Sequence, residues 1–219
     1  MADFQNTIDL LGDEETARRI IRRTITEFYD DTVYQIGARA FCHCAALKNV
    51  DAPEATLVDS NAFESCTALT SANLPNATQV RGSAFEGCSS LESVNLHSAD
   101  QIMGSAFNSC TKLTAVDLPS ATTLQNAIFM YSGLKTLILR SAKACTLSNK
   151  NSFSSCPFDS SREGGTLLVP RALIETYQGA TNWSVVLGYP NNRILALEDY
   201  TLDGTTSGAI DWDKLGGTT

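Results

Sequence analysis

Apolar positions through the middle of the chain recur in one fixed order with a period of 22 residues. Phe41, Phe63, Phe85 and Phe107 stand in register, and Phe129 adds a fifth. Each of the first four is followed three residues on by a cysteine (Cys44, Cys66, Cys88, Cys110) and three further by a leucine (Leu47, Leu69, Leu91, Leu113). A self-similar period between about 20 and 50 residues is the signature of a solenoid, whose copies bury their apolar faces on one another. Each copy holds two apolar phrases. The first carries Ile36, Val58, Val80, Ile102 and Leu124, with Ala40, Ala62, Ala84 and Ala106 just ahead of the ring and Ile128 breaking that column. The second alternates with period two and reads as a strand. Its inward pairs are Val50/Ala52, Ala72/Leu74, Val94/Leu96 and Val116/Leu118. Pro53, Pro75 and Pro119 close it, with His97 in the third copy, and proline ends a strand because it cannot donate to the ladder.

The alternation predicts an outward ribbon of two columns. One runs Tyr29, Asp51, Asn73, Asn95, Asp117, Ile138 and the other Glu27, Asn49, Ser71, Ser93, Ala115, Thr136. It is flat, polar and mildly acidic, and reads either as a solvated sheet face with Asx side chains stacked along it or as a recognition surface for a protein or glycan. The candidate binding residues are Glu27, Tyr29, Asn49, Asp51, Ser71, Asn73, Ser93, Asn95, Asp117 and Thr136.

The ends depart from the repeat. Asp13 as N-cap, acids at Glu14 and Glu15, and a basic last turn of Arg18, Arg19, Arg22 and Arg23 predict a capping helix over 13–23. Its arginines read as solvated cap surface or as a patch for an acidic partner. Residues 24–30 then form the first strand. In the fifth copy Ser132 takes the cysteine slot and one residue is lost before Leu134; an irregular sixth copy carries Leu147, Phe153 and Cys156. Pro170 at a helix N1 position, helical spacing of Leu173, Ile174 and Tyr177, and Trp183 as lid predict a C-terminal cap. The expected organisation is 1–23 lead-in and capping helix, 24–170 solenoid, 171–197 cap and 198–219 polar tail. Asp203-Gly204 signals a hairpin if Thr201-Leu202 pairs with Ala209-Ile210. The tail is either disordered or ordered on the solenoid or a partner, with Trp212, Tyr200 and Leu215 as its candidate docking residues.

The phrase Ile-Gly-x-x-Ala-Phe-x-x-Cys-x-x-Leu-x-x-Val-x-x-Pro, as in Ile36 to Pro53, resembles the BspA-like (Treponema pallidum-type) leucine-rich repeats, which usually run a residue longer. The resemblance covers roughly residues 24–170. It implies an α/β solenoid, a right-handed leucine-rich-repeat coil of short parallel strands with an N-terminal capping helix and a C-terminal helix/strand cap. It also implies a non-enzymatic role, since such proteins are mostly bacterial surface or phage-encoded and bind partners. The Val-Pro-x-x-Leu-x-x-x-Tyr-x-x-Ala-x-x-Trp phrase after the repeats, and the opening from Asp3 to Ile25, are similar to small repeat proteins of phage and prophage tail regions. The expected partners are therefore proteins, either other virion subunits or a host surface receptor. The expected location is a virion, or the cell surface for an adhesion module.

Charge and chemistry narrow this further. The net charge of −8 argues against nucleic acid, which requires a basic patch. No run nears the ~18 apolar residues of a membrane span. MADFQNTIDLLGDEE has neither a basic n-region nor an apolar h-region, so it is not a secretory signal. In a column of stacked strands about 4.8 Å apart, cysteine Cα–Cβ vectors run parallel, whereas a disulfide needs them facing. The column cysteines read as small buried hydrophobes. Cys42, His43 and Cys44 invite a metal reading, but a zinc site wants four ligands with differently spaced pairs. With two histidines and no nucleophile in register with either, no triad is supported. Gly164-Gly165 lacks the Lys-Ser/Thr of a phosphate loop. No cofactor, metal or catalytic residue is expected.

Overall fold

The computed structural model describes residues 24–159 and 163–215. The predicted helix over 13–23, with its arginine cluster, lies outside them. The repeat coils contribute strands to two walls of parallel strands, a ribbon hydrogen-bonded as two four-stranded sheets and a second wall that is one six-stranded sheet. The ribbon strands are β1 (Glu27–Tyr29), β3 (Asn49–Asp51), β5 (Ser71–Asn73), β7 (Ser93–Asn95), β9 (Ala115–Asp117) and β11 (Thr136–Ile138), followed by β13 (Thr166–Val169) and β14 (Arg193–Ala196). The second sheet is built from two-residue strands: β2 (Gln35–Ile36), β4 (Leu57–Val58), β6 (Gln79–Val80), β8 (Gln101–Ile102), β10 (Thr123–Leu124) and β12 (Thr146–Leu147). Pairing is parallel with a register of one copy, as in Asn49↔Ser71↔Ser93 and Leu57↔Gln79↔Gln101. The fold is a parallel-strand β-solenoid, as the period of the apolar columns predicts.

The Phe-x-x-Cys turn forms a third wall, and its backbone explains its composition. Arg39, Asn61, Ser83, Ser105 and Ala127, two residues before each ring, have φ between 56° and 61°. His43, Ser65, Gly87, Ser109 and Tyr131, two residues after, have φ between 58° and 73°. A left-handed residue with a side chain costs roughly 1–2 kcal/mol. The turn recovers this by aiming its N–H groups at the next coil. His43 N donates to Glu64 O at 2.7 Å, Phe63 N to Ala84 O at 2.8 Å, and Ser105 N to Asn126 O at 3.1 Å. The buried rings follow in a column. Centroids from Phe41 through Phe63, Phe85, Phe107 and Phe129 to Phe153 lie 5.1 to 5.8 Å apart with interplanar angles of 5° to 19°. The spine begins on a tilted Phe28 and ends on Phe158 and Trp183.

The fifth coil absorbs its missing residue at Gly133. A Cβ there would stand 2.2 Å from the Thr111 carbonyl oxygen, so only glycine allows the approach. At the far end side chains replace the coil that would come next. Trp183 Nε1 donates to Cys145 O at 2.7 Å, Cys145 N donates to the Tyr177 hydroxyl at 2.8 Å, and Asn182 Nδ2 donates to Leu147 O at 2.8 Å. These bonds occupy the open edge at β12, where unpaired backbone groups would otherwise be buried. Pro170 differs from its predicted place at N1 of an α-helix. Its ψ of 134° is extended, so it stands ahead of a 3-10 turn, Arg171–Leu173, and the α-helix proper is Ile174–Gly179.

Candidate binding ribbon

The outward side chains of β1 to β9 are exposed or half-buried, and several of those on β3, β5 and β7 are joined by hydrogen bonds running along the stack. Asn73 Nδ2 donates to Asp51 Oδ1 at 2.8 Å, and Asn95 Nδ2 donates to Asn73 Oδ1 at 2.8 Å. In the neighbouring column Ser71 Oγ donates to Asn49 Oδ1 at 2.9 Å, and Thr70 Oγ1 adds a bond to the same oxygen at 3.2 Å. Side chains that would otherwise sample several rotamers are thus held in one, which reduces the entropy a partner must remove on docking. Glu27 and Ser93 are exposed, and Tyr29 stands at the N-terminal edge with 67% of its surface exposed.

The ribbon stops short of its predicted extent. Thr136 and Ile138, expected to face outward, are buried at 4% and 1% exposure. The outward column turns apolar here, with Ile138, Leu168 and Leu195 in register. Residues from the tail lie over it. Tyr200, Ile210, Trp212 and Leu215 pack against Ile138, Leu168 and Leu197. All three candidate docking residues, Trp212, Tyr200 and Leu215, are therefore partly buried against the protein's own solenoid. The tail is folded as an antiparallel turn, with Thr201 bridged to Ile210 and Leu202 N donating to Ala209 O at 2.9 Å.

Arg140 fastens this tail. Its Nε reaches both Asp117 carboxylate oxygens at 3.0 and 2.8 Å, and Nη2 reaches Oδ2 at 2.8 Å. Its Nη1 donates to Thr206 O at 2.7 Å and Gly208 O at 3.0 Å. Sequence reasoning missed this residue, although a signal was present. With one residue lost in the fifth coil, Arg140 occupies the strand-closing column of Pro53, Pro75, His97 and Pro119. The two departures from proline, His97 and Arg140, line one cleft of about 580 Å³. That cleft lies where the ribbon ladder is interrupted. Pairing runs β1-β3-β5-β7 and resumes as β9-β11-β13-β14, with no ladder between β7 and β9. Val94 is half-buried there, whereas Val50, Ala72 and Val116 in its column are 2% to 3% exposed.

The cysteine column is chemically quiet. Cys66, Cys88 and Cys110 each donate from Sγ to a phenylalanine carbonyl of the preceding coil, at 3.1, 3.0 and 3.1 Å. Ser132 in the same slot donates to Phe129 O of its own coil at 2.8 Å. None of the seven cysteines is in a disulfide, and only Cys42 is not fully buried. Burial pushes the Cys145 and Cys156 thiols up to about 12 and raises Cys110 as well, so none of these is a thiolate near neutral pH. At the first turn Cys42 lies 3.6 Å from Glu64 Oε2 and shares a shallow pocket with Arg39 and His43. Among the described residues no three His, Cys, Asp or Glu side chains gather as metal ligands would. Nor is any described helix long and apolar enough to cross a membrane.

Comparison with known proteins places this coil. Residues 34–159 match the BspA type leucine-rich repeat region, in six copies. The chain belongs to the BspA type leucine-rich repeat family. A leucine-rich repeat protein from Bacteroides ovatus, solved at 1.19 Å resolution, is similar to it in structure. The likeness has a TM-score of 0.58 at 20% identity and covers 78% of this chain but 42% of that one. It extends to the fold alone, and this leucine-rich repeat chain spans less than half the length of that relative. No curated protein matches it. Leucine-rich repeats of this type characteristically mediate protein–protein contacts through the faces their coils build.

Proposed function

We propose that the protein is a non-enzymatic recognition module that binds a protein partner on the polar ribbon from β1 to β9. The observation carrying this reading is the hydrogen-bonded ladder of Asp51, Asn73 and Asn95 beside Asn49 and Ser71, a flat surface with its side chains already fixed. The tail supports the same choice of face, because its aromatic residues are packed on the solenoid. Arginines introduced together at Asn49, Ser71 and Ser93 test it. A partner recovered by the native chain should be lost by this variant, and equal recovery would rule the ribbon out.

The setting is proposed on the resemblance of the opening and closing phrases to phage tail-region proteins: a phage or prophage virion, in which the ribbon contacts a neighbouring subunit or a host receptor. A bacterial cell-surface adhesion module is the alternative. Mass spectrometry of purified virions against washed cell envelopes separates the two.

A further inference from the structure

The amide ladder has a direction, and its open end is a site. An ionised carboxylate can only accept hydrogen bonds. Asp51 therefore obliges Asn73 to present its nitrogen, which turns Asn73 Oδ1 toward Asn95 and obliges Asn95 to present its nitrogen in turn. Asn95 Oδ1 is left pointing up the column with no donor among the described residues. The next member of the column, Asp117, is again acceptor-only and turns to Arg140. Two acceptor-bearing residues thus line the position where β7 and β9 fail to pair. The cleft opens there, with Val94, Asn95, His97, Asp117, Pro119 and Arg140 on the ribbon side and residues 206–209 of the tail as its far wall.

We propose that this cleft takes a side-chain carboxamide, of asparagine or glutamine, presented by the protein partner. The inference rests on the ribbon being the recognition face and names the chemistry it selects. A carboxamide carries two N–H donors on one nitrogen, one for Asn95 Oδ1 and one for Asp117, so it bridges the two acceptors. Its stem lies on Val94 and Pro119. An ammonium group fits less well. Arg140 already neutralises Asp117, so nothing offsets the removal of a full charge from water, which costs far more than burying an amide. A carboxylate would add a third acceptor to two.

The test uses the full chain, labelled with 15N, titrated with propionamide, propionate and ethylammonium as separate probes. Propionamide is expected to give saturable shifts of the Asn95 side-chain amide and the Val94 backbone amide. The other two probes at equal concentration are expected to give less than a tenth of that shift. Asn95→Leu should weaken propionamide binding at least tenfold, with unchanged methyl resonances showing that the coil is intact. Val94→Ala should weaken it severalfold, and Gln35→Ala, on the second sheet, should leave it unchanged. Non-saturable shifts, an equal response to propionate, or indifference to Asn95→Leu would each overturn the proposal. If the ribbon arginines abolish partner binding while propionamide does not bind, the recognition face stands and the carboxamide slot falls. If propionamide binds but the arginines leave partner binding intact, the recognition face falls.

Discussion

Arg140 grips Asp117 in a forked ion pair and, with the remaining arm of the same guanidinium, holds two carbonyls of the C-terminal tail. One side chain thereby joins the last open coil of the ribbon to the segment that closes the apolar end. Its side chain is 13% exposed and that of Asp117 is 37%. The pair is sheltered enough to matter, yet wet enough that its full Coulomb attraction is not realised.

Arg140→Ala is expected to lower stability by roughly 2 kcal/mol, a discounted value for losing charge-assisted bonds at a partly exposed site. The loss should be concentrated in the tail, read as faster amide exchange and easier proteolysis between residues 200 and 215. Arg140→Lys should recover less than half of it, because an ammonium cannot make the fork. Exchange in the tail unchanged by Arg140→Ala would show that the clamp is incidental.

Deleting residues 198–219 uncovers Ile138, Leu168 and the Leu195 column. The shortened chain is expected to bind an apolar dye and to self-associate at concentrations where the full chain is monodisperse, since a contiguous apolar patch becomes solvent-exposed. Dye fluorescence and sedimentation measure both. Behaviour identical to the full chain would mean the tail covers little.

Phe85→Ala removes a ring stacked on both sides, at 5.1 and 5.4 Å, and should cost roughly 3–5 kcal/mol in denaturant unfolding. Ser93→Ala, on the exposed face, should stay within about 0.5 kcal/mol. Similar losses for the two would contradict the assignment of faces.

Trp183→Phe keeps most of the apolar area of the lid but leaves the buried Cys145 carbonyl without its donor. A loss of about 1–3 kcal/mol is expected, the penalty of an unsatisfied buried acceptor. A neutral outcome would show that packing alone closes the stack.

Cys42 should be the thiol that an aromatic disulfide reagent labels in the folded protein, with the other six reacting on unfolding. Burial and the nearby Glu64 raise its pKa, so the deprotonated form is scarce at neutral pH. Labelling should therefore still be accelerating above pH 9, where an unperturbed thiol has begun to level off. Fast labelling of Cys88 or Cys110 in the native state would mean that the coil opens locally.

The repeating parts were legible because the repeat fixes its own partners. Phe63 meets Phe41 and Phe85 for the same reason that Val58 meets Ile36 and Val80: neighbours one period apart in the chain are neighbours in space. Ile138 was misplaced because its burial depends on Trp212 and Tyr200, which lie outside any period. Arg140 and His97 stood in plain view as departures from a proline column, but a departure alone does not say what it touches. The interruption between β7 and β9 had no signature in the apolar pattern, since Val94 and Val116 obey it.

The turn wall hands its N–H groups forward from coil to coil, as His43 does to Glu64 and Ser65 to Glu86. In the regular coils the turn wall therefore offers its successor the same donors and acceptors that it received. A further 22-residue copy spliced between Phe63 and Phe85 would find both of its faces already matched, and each end would keep its own closure. Such a splice would extend the ribbon by about 4.8 Å. The reach of the protein is in this sense a number of teeth on a rack, adjustable by whole steps without redesigning either end.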